Sequence, residues 1–317
     1  HHIIIDEVQK VPELLDEIHW LIENTDAAFI LCGSSARKLK QSGANLLGGR
    51  AWRYHFLPLV TKEIPDFDLL QALNTGLLPA HYLSKNPQKS LQAYIEDYLT
   101  QEIKAEGLVR NLPSFARFLD SMSFCNGEVI KYTNIARDCG IDSKTVQNYF
   151  EILVDTLLGY YLLPYKKRVS RAIMTEAPKF YLFDVGVANY LSNKTINILK
   201  GSDAGKSFEH FIFMELMAYK LLNDKRFKVT YWRTRSDLEV DFILGDADVA
   251  IEVKISTQVE KQALKGLLAF CEEHQPRKAI VVSQDVSARK MIINAETAID
   301  IMSWQDFLKA LWAGELI

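Results

Sequence analysis

Three ionisable residues toward the C-terminal end have the types and spacing needed to cut a phosphodiester. Glu252 and Lys254 stand at i and i+2 of the apolar run Val249-Ala250-Ile251-Glu252-Val253-Lys254, so on a strand they project from one face. Asp241 sits in the preceding run, Glu239-Val240-Asp241-Phe242-Ile243-Leu244, across a short Gly245-Asp246-Ala247-Asp248 turn. Neighbouring strands joined this way bring Asp241 and Glu252 together as metal ligands around one divalent cation, with the Val253 carbonyl as a further oxygen. Mg²⁺ suits such a place, because it keeps several waters and takes one or two carboxylates plus phosphate oxygens. Lys254 would orient or help deprotonate the attacking water and offset charge in the transition state. Glu209, on the helical pattern just before, would complete the site through water. An exposed hairpin with paired surface charges would carry the same residues. The alternation, with Asp241 between Val240 and Phe242 and Glu252 between Ile251 and Val253, instead groups the ionisable side chains on one face.

Positioning those residues takes a helix with apolar spacing at 208, 211, 212, 215 and 216, and strands over 228–233, 239–244 and 249–254. A helix over 261–273 and strands at 279–282 and 299–302 follow. Trp232-Arg233 offers a surface on which an unpaired base could stack, although a Trp on a strand is more often core.

A second place for chemistry lies at the start. Ile3-Ile4-Ile5 is a β-branched run that suits a strand buried on both faces, and it ends in Asp6-Glu7. Acids there sit where open α/β sheets hold ligands; solvated acids at a strand end are the plainer reading. Helical spacing at Leu14, Leu15, Ile18, Leu21 and Ile22 follows Pro12, then a second strand, Ala28-Phe29-Ile30-Leu31-Cys32, runs into Gly33-Ser34-Ser35.

The middle of the chain is helical over 67–120, without obvious chemistry. From 128 onward, Ile130, Tyr132, Ile135 and Ala136 precede Gly140, and Ser143 is the expected cap of a helix striped by Val146, Tyr149, Leu153 and Leu157. That is the helix-turn-helix plan. Strands at 160–163 and 180–183 flank Lys166, Lys167, Arg168 and Arg171, which completes a winged helix with a basic hairpin. Lys144, Gln147 and Asn148 would face a major groove while the hairpin meets phosphates. Asp142 and Glu151 nearby favour contact without sequence preference. The same residues also suit a winged helix that packs against protein, with its charges solvated.

The segments IIIDEVQKVPEL, ILCGSSARKL, LLGGRA and LPLVTKEI together resemble the second half of the ATPase domain in a prokaryotic family of AAA-type P-loop ATPases. Those proteins carry a C-terminal PD-(D/E)xK nuclease-like domain of unknown function. The order helix, three strands, helix, strand and the run KFYLFDVG at 179–186 are similar to that domain and the connection into it. The resemblance implies that Asp6 and Glu7 form a Walker B pair and that Ser34 is a sensor-like residue. It implies Arg50 as a trans-acting arginine; an exposed loop arginine is the plainer reading. A Walker A loop is also required. The only near match, Gly201-Ser202-Asp203-Ala204-Gly205-Lys206-Ser207, has three residues between its glycines where four are needed, and it follows Walker B. ATP is therefore expected as a cofactor only with an upstream phosphate loop, and Mg²⁺ only at the nuclease-like site.

The expected fold class is multidomain α/β. The expected parts are the second half of an AAA-type ATPase sheet over 1–64, a helical lid or connector over 65–125, a winged helix over 126–195 and a PD-(D/E)xK-like domain over 196–317. The function read from this is a DNA-associated relative of AAA-type ATPases, with a C-terminal domain that cleaves phosphodiesters. The alternative is a non-catalytic module that binds nucleic acid or protein and answers to ATP when a phosphate loop is present.

Composition sets the outer bounds. The 317 residues are 48% hydrophobic and 24% charged, with 15 Gly and 9 Pro, which excludes collagen-like, disordered and membrane-embedded classes. No apolar run approaches the roughly 18–20 residues of a spanning helix, so no membrane partner is expected. Net charge is −3, so DNA contact must come from local basic patches. Cys32, Cys125, Cys139 and Cys271 form no CxxC pair and read as buried thiols of a cytoplasmic protein. A homo-oligomer is left open. The chain opens on His1-His2 rather than Met and already reads as strand, as expected of a piece of a longer protein.

Overall fold

A computed structural model describes residues 2–33, 47, 49–99, 109, 111–166, 177–293 and 298–317. At the N-terminus, β1 (His2–Ile5) pairs in parallel with β2 (Ala28–Leu31), His2 opposite Ala28 through to Ile5 opposite Leu31. Helix α1 (Leu14–Asn24) covers one face, where Leu15 and Ile18 pack with Val8, Leu47, Ile5 and Phe29. Burial on both faces, expected from the β-branched run, is not observed: Ile4 is 68% exposed and Ile30 51%. Among the described residues this sheet has two strands, and a single helix shields only one side of it. Cys32 follows β2 and is likewise exposed, against the expectation of four buried thiols; Cys139 and Cys271 are buried and Cys125 is half-buried.

The helical middle divides between two cores. α2 (Leu69–Thr75), capped by Asp68, is followed by α3 (Pro79–Tyr82) and α4 (Pro87–Ala93). Leu69, Ala72 and Leu73 of α2 pack with Phe208, Phe211 and Ile212 from the C-terminal part, so this stretch is built into that core. α5 (Leu112–Ser123) instead packs Phe115 and Phe118 against α6 (Tyr132–Cys139) and α7 (Ser143–Asp155). Gly140, at φ 65°, takes the left-handed turn between α6 and α7 that a side chain would resist. Asp142, rather than Ser143, caps α7 and accepts from the Lys144 and Thr145 amides, both at 2.9 Å. Its backbone is extended, so it is the last residue before the helix, and its carboxylate also suits the positive helix end.

β3 (Gly159–Pro164) and β4 (Lys179–Leu182) form the expected antiparallel pair. β3 also runs parallel to β5 (Val229–Arg233), with Leu163 opposite Thr230 and Pro164 opposite Tyr231. Among the described residues the pair is thus the edge of an eight-stranded mixed sheet that crosses the boundary expected at 195, in the order β4-β3-β5-β6-β7-β8-β10-β9. The remaining strands are β6 (Glu239–Leu244), β7 (Val249–Val253), β8 (Lys278–Ser283), β9 (Arg289–Ile292) and β10 (Ala298–Ser303). Between and after them come α8 (Val185–Leu191), α9 (Gly201–Leu222), α10 (Lys265–His274) and α11 (Trp304–Trp312). The central strands are apolar on both sides, because α9 and α11 cover Phe242, Leu244 and Ile251 while α10 covers Val240, Ile243 and Ala250. The glycine-rich stretch 201–207 is the start of α9, and Trp232 is core, edge-on to Phe270.

His210 pins α9 to β4. Its Nε2 lies 2.7 Å from the Leu182 carbonyl, which can only accept, so Nε2 carries the proton and Nδ1 accepts from Asn126 Nδ2 at 3.1 Å. Burial holds this imidazole down at about 4. Between about pH 6.5 and 4 the unfolded chain takes up a proton that the folded chain refuses, so stability falls as pH drops, by up to about 3 kcal/mol. Urea midpoints at pH 7 and pH 4.5 should show this fall, and His210→Gln should remove its share; an equal slope in the variant would refute the assignment.

Candidate functional site

β6 and β7 pair with Phe242 opposite Ile251, Ile243 opposite Ala250 and Leu244 opposite Val249. One further step of that register sets Asp241 opposite Glu252. On its other edge, β6 loses register with β5 between Thr230 and Trp232, so that Asp241 and Phe242 together face the single residue Tyr231. Such a bulge bends and twists its strand and re-aims a side chain. Asp241 Oδ2 accepts the Val253 amide at 2.7 Å, and Lys254 Nζ lies 2.6 Å from Glu252 Oε1. The three residues chosen from spacing are therefore brought together.

Both carboxylates are nearly enclosed, Asp241 at 8% exposure and Glu252 at 6%. Burial first, then Glu252 and Glu209, push the Asp241 carboxyl well above the ordinary range, while Lys179 and Lys254 oppose the shift. Burial also raises Glu252 despite its contact with Lys254. Burial works against charge on Lys254, yet Glu252 and Asp241 hold its ammonium above the usual value. Glu252 Oε2 is buried with no hydrogen-bond partner among the described residues. An oxygen of this kind fits a hard cation, which would complete its coordination and relieve the repulsion between two acids. Among the described residues no group of three or more His, Cys, Asp or Glu side chains is arranged to hold a metal. Asp241 and Glu252 would supply two ligands, leaving the rest to water and substrate, as Mg²⁺ accepts.

Glu209 is held one step back. Its Oε1 takes the Tyr181 hydroxyl at 2.6 Å and Lys179 Nζ at 3.2 Å. Lys179 also reaches Glu239 Oε1 at 2.5 Å, and its ammonium lies 5.4 Å from the Tyr231 ring centre. Burial opposes charge on Lys179, but Glu209, Tyr181, Glu239 and Asp241 raise it well above a free lysine. Arg233 holds the other oxygen of Glu239 at 3.2 Å. Sequence reading missed Lys179, Tyr181 and Glu239 as site residues. The available signal was a lysine heading the apolar run Phe180–Phe183, with Glu239 two places before Asp241.

The other candidates lie apart from this cluster. Asp6 is exposed at the end of β1, and its Oδ1 accepts the Glu7 amide at 3.0 Å. Glu7 has a left-handed backbone, φ 54°, and its Oε2 accepts Gln9 Nε2 at 2.6 Å. Arg50 is turned onto its own chain, donating to Glu23 through Nε at 2.9 Å and Nη2 at 2.5 Å. On α7, Lys144 and Gln147 are exposed and Asn148 is half-buried; Lys166 is exposed just beyond β3. Ser34, Lys167, Arg168 and Arg171 lie outside the described residues.

Residues 1–65 match the model of an AAA domain, which makes the N-terminal segment AAA-like. Residues 66–197 match a domain of unknown function, DUF8612, and residues 204–303 another, DUF4143. An uncharacterized protein of Mycobacterium tuberculosis and one of Mycobacterium bovis are each 23% identical over 246 residues, 75% of this chain. The chain spans 55% of the length of each of these curated relatives. No solved structure matches it. No helix among the described residues is long and apolar enough to cross a membrane.

The raised acids give a signed expectation. Above the ordinary carboxylate range and up to its raised value, folded Asp241 holds a proton that the unfolded chain releases, so stability falls as pH rises through that window. Asp241→Asn keeps an acceptor for the Val253 amide and removes the charge. In EDTA, its melting temperature should exceed that of wild type at pH 8, with the gap closing toward pH 4; a variant less stable than wild type at pH 8 would contradict this.

Proposed function

We propose that Asp241, Glu252 and Lys254 form a Mg²⁺-dependent site that hydrolyses phosphodiesters in DNA, carried by a chain with an AAA-like N-terminal segment. The buried Glu252 Oε2, without a hydrogen-bond partner among the described residues and one register step beyond the Phe242–Ile251 pair, is the observation that carries this reading. A cation held by Asp241 and Glu252 would polarise a phosphate oxygen and lower the pKa of a bound water. The protein's own residues do the rest. The Val253 amide fixes one oxygen of Asp241, and the other would be the one to hold the cation. The Lys254 ammonium has three donors and uses one on Glu252, so two remain to orient the attacking water and meet a phosphate oxygen. The nearby acids demand such an ammonium, because a phosphate brings further negative charge to an already acidic place.

DNA would be held without sequence preference by Lys144, Gln147 and Asn148 on α7 and by the basic stretch that begins at Lys166. In a longer protein with a phosphate loop, Asp6 and Glu7 would add an ATP-dependent step. A second reading, a non-catalytic platform for nucleic acid or protein, is favoured by one contact: Lys254 is already paired with Glu252 at 2.6 Å.

Labelled single-stranded, duplex and branched DNA incubated with the protein and Mg²⁺ or Mn²⁺ separates the two readings. The catalytic reading expects cleavage that drops at least about 100-fold in Glu252→Ala and Lys254→Ala, the loss typical of a removed charge-stabilising group. No cleavage of any substrate favours the platform. DNA affinity should also fall with salt, and removing Lys144 and Lys166 should flatten the slope of log K by about 0.9 per lost phosphate contact. A slope unchanged in that double variant removes α7 and Lys166 from the DNA surface.

A further inference from the structure

The acid cluster contains more carboxylates than one Mg²⁺ needs. Glu209 lies near both Asp241 and Glu252, and Glu239 near Glu252; a second cation about 4 Å from the first would need these flanking acids as its ligands. The oxygens of the four acids are used very differently here. Oε1 of Glu209 is taken by Tyr181 Oη and Lys179 Nζ. Oε1 of Glu239 is taken by Lys179 Nζ and Oε2 by Arg233. By contrast Asp241 gives one oxygen to a backbone amide and Glu252 keeps Oε2 without a partner among the described residues. The fixed point in this pattern is Lys179, whose side chain is only 3% exposed. A surface lysine swings away when a competing cation arrives; this one is enclosed by β4, β5, β6 and α9 and has no solvent to swing into.

We propose that the Lys179 ammonium stands in the place of a second cation: it neutralises Glu209 and Glu239 from inside the fold, so that the site takes one divalent ion, on Asp241 and Glu252. This rests on the metal-site reading above and goes beyond it by fixing the number of ions and the role of a residue outside the trio. Lys179 is a positioning residue in this scheme. It holds Glu209 off the metal and balances the charge that Asp241 would otherwise face. A built-in +1 also differs from a second +2 ion in what it leaves behind. The site's charge then suits one phosphodiester rather than a strongly anionic terminal phosphate.

Mn²⁺ binding to the whole chain, followed by the loss of the free-ion EPR signal, counts the ions directly and needs no turnover. One Mn²⁺ per chain is expected, lost in Glu252→Gln and kept in Glu209→Gln with Kd changed less than about threefold. Two ions in wild type, or a tenfold weaker site in Glu209→Gln, would overturn the role given to Lys179 while leaving the metal site intact. No ion in wild type would sink the metal-site reading itself, and this inference with it. Lys179→Met, where it folds, should gain a second Mn²⁺, and Lys179→Arg should stay at one; a folded Lys179→Met that still binds one ion refutes the proposal. Should the Met variant not fold, the wild-type count and Glu209→Gln decide.

Discussion

Like charges held out of water must be compensated where they stand, and the C-terminal half of this protein is arranged around that constraint. Asp241 and Glu252 face each other across two central strands of a sheet covered on both sides, and Glu209 and Glu239 lie close by. Buried carboxylates without partners would unfold the strands that carry them. Lysine ammoniums reach the cluster from two directions, Lys179 from the edge strand β4 and Lys254 from beyond the end of β7. The compensation is incomplete, since both central acids remain hard to ionise. That shortfall is what a divalent ion would remove, and it ties the stability of the fold to the chemistry of the site.

The sheet supplies the rigidity this arrangement requires. β6 and β7 lie in its interior, each paired on both edges, so the trio cannot drift by a strand register without turning its charges into an apolar layer. The bulge at Asp241 and Phe242 is a local departure from that regularity, and it lies at the acid. The antiparallel pair β3 and β4, which follows α6 and α7 in the chain, belongs to the same sheet through β3 and β5. Two parts that read as separate domains therefore share one hydrogen-bonded framework.

Much of this was legible in the residues. The two-residue spacing of Glu252 and Lys254, the turn after Leu244 and the order of elements after 208 all follow from period-2 and period-3.6 patterning, which local sequence carries. The cap of α7 lies one position before the expected Ser143, because Asp142 and Ser143 are both good caps and only the backbone shows which lies outside the helix. Lys179 was not legible as a site residue. Its neighbours in space, Glu209 and Glu239, are 30 and 60 positions away, and only the pairing of β4 at the sheet edge brings them together.

Strand β4 alternates between two neighbourhoods. Lys179 and Tyr181 face the acids, while Phe180 and Leu182 lie in the core of α5, α6 and α7, with the Phe180 ring centre 4.9 Å from that of Phe150. Backbone so short cannot tilt on one side alone. Phe150 of α7 and the acids around Lys179 thus bear on opposite faces of one four-residue strand. The helical core and the charged cluster are therefore joined through the same few peptide bonds, with nothing interposed between them.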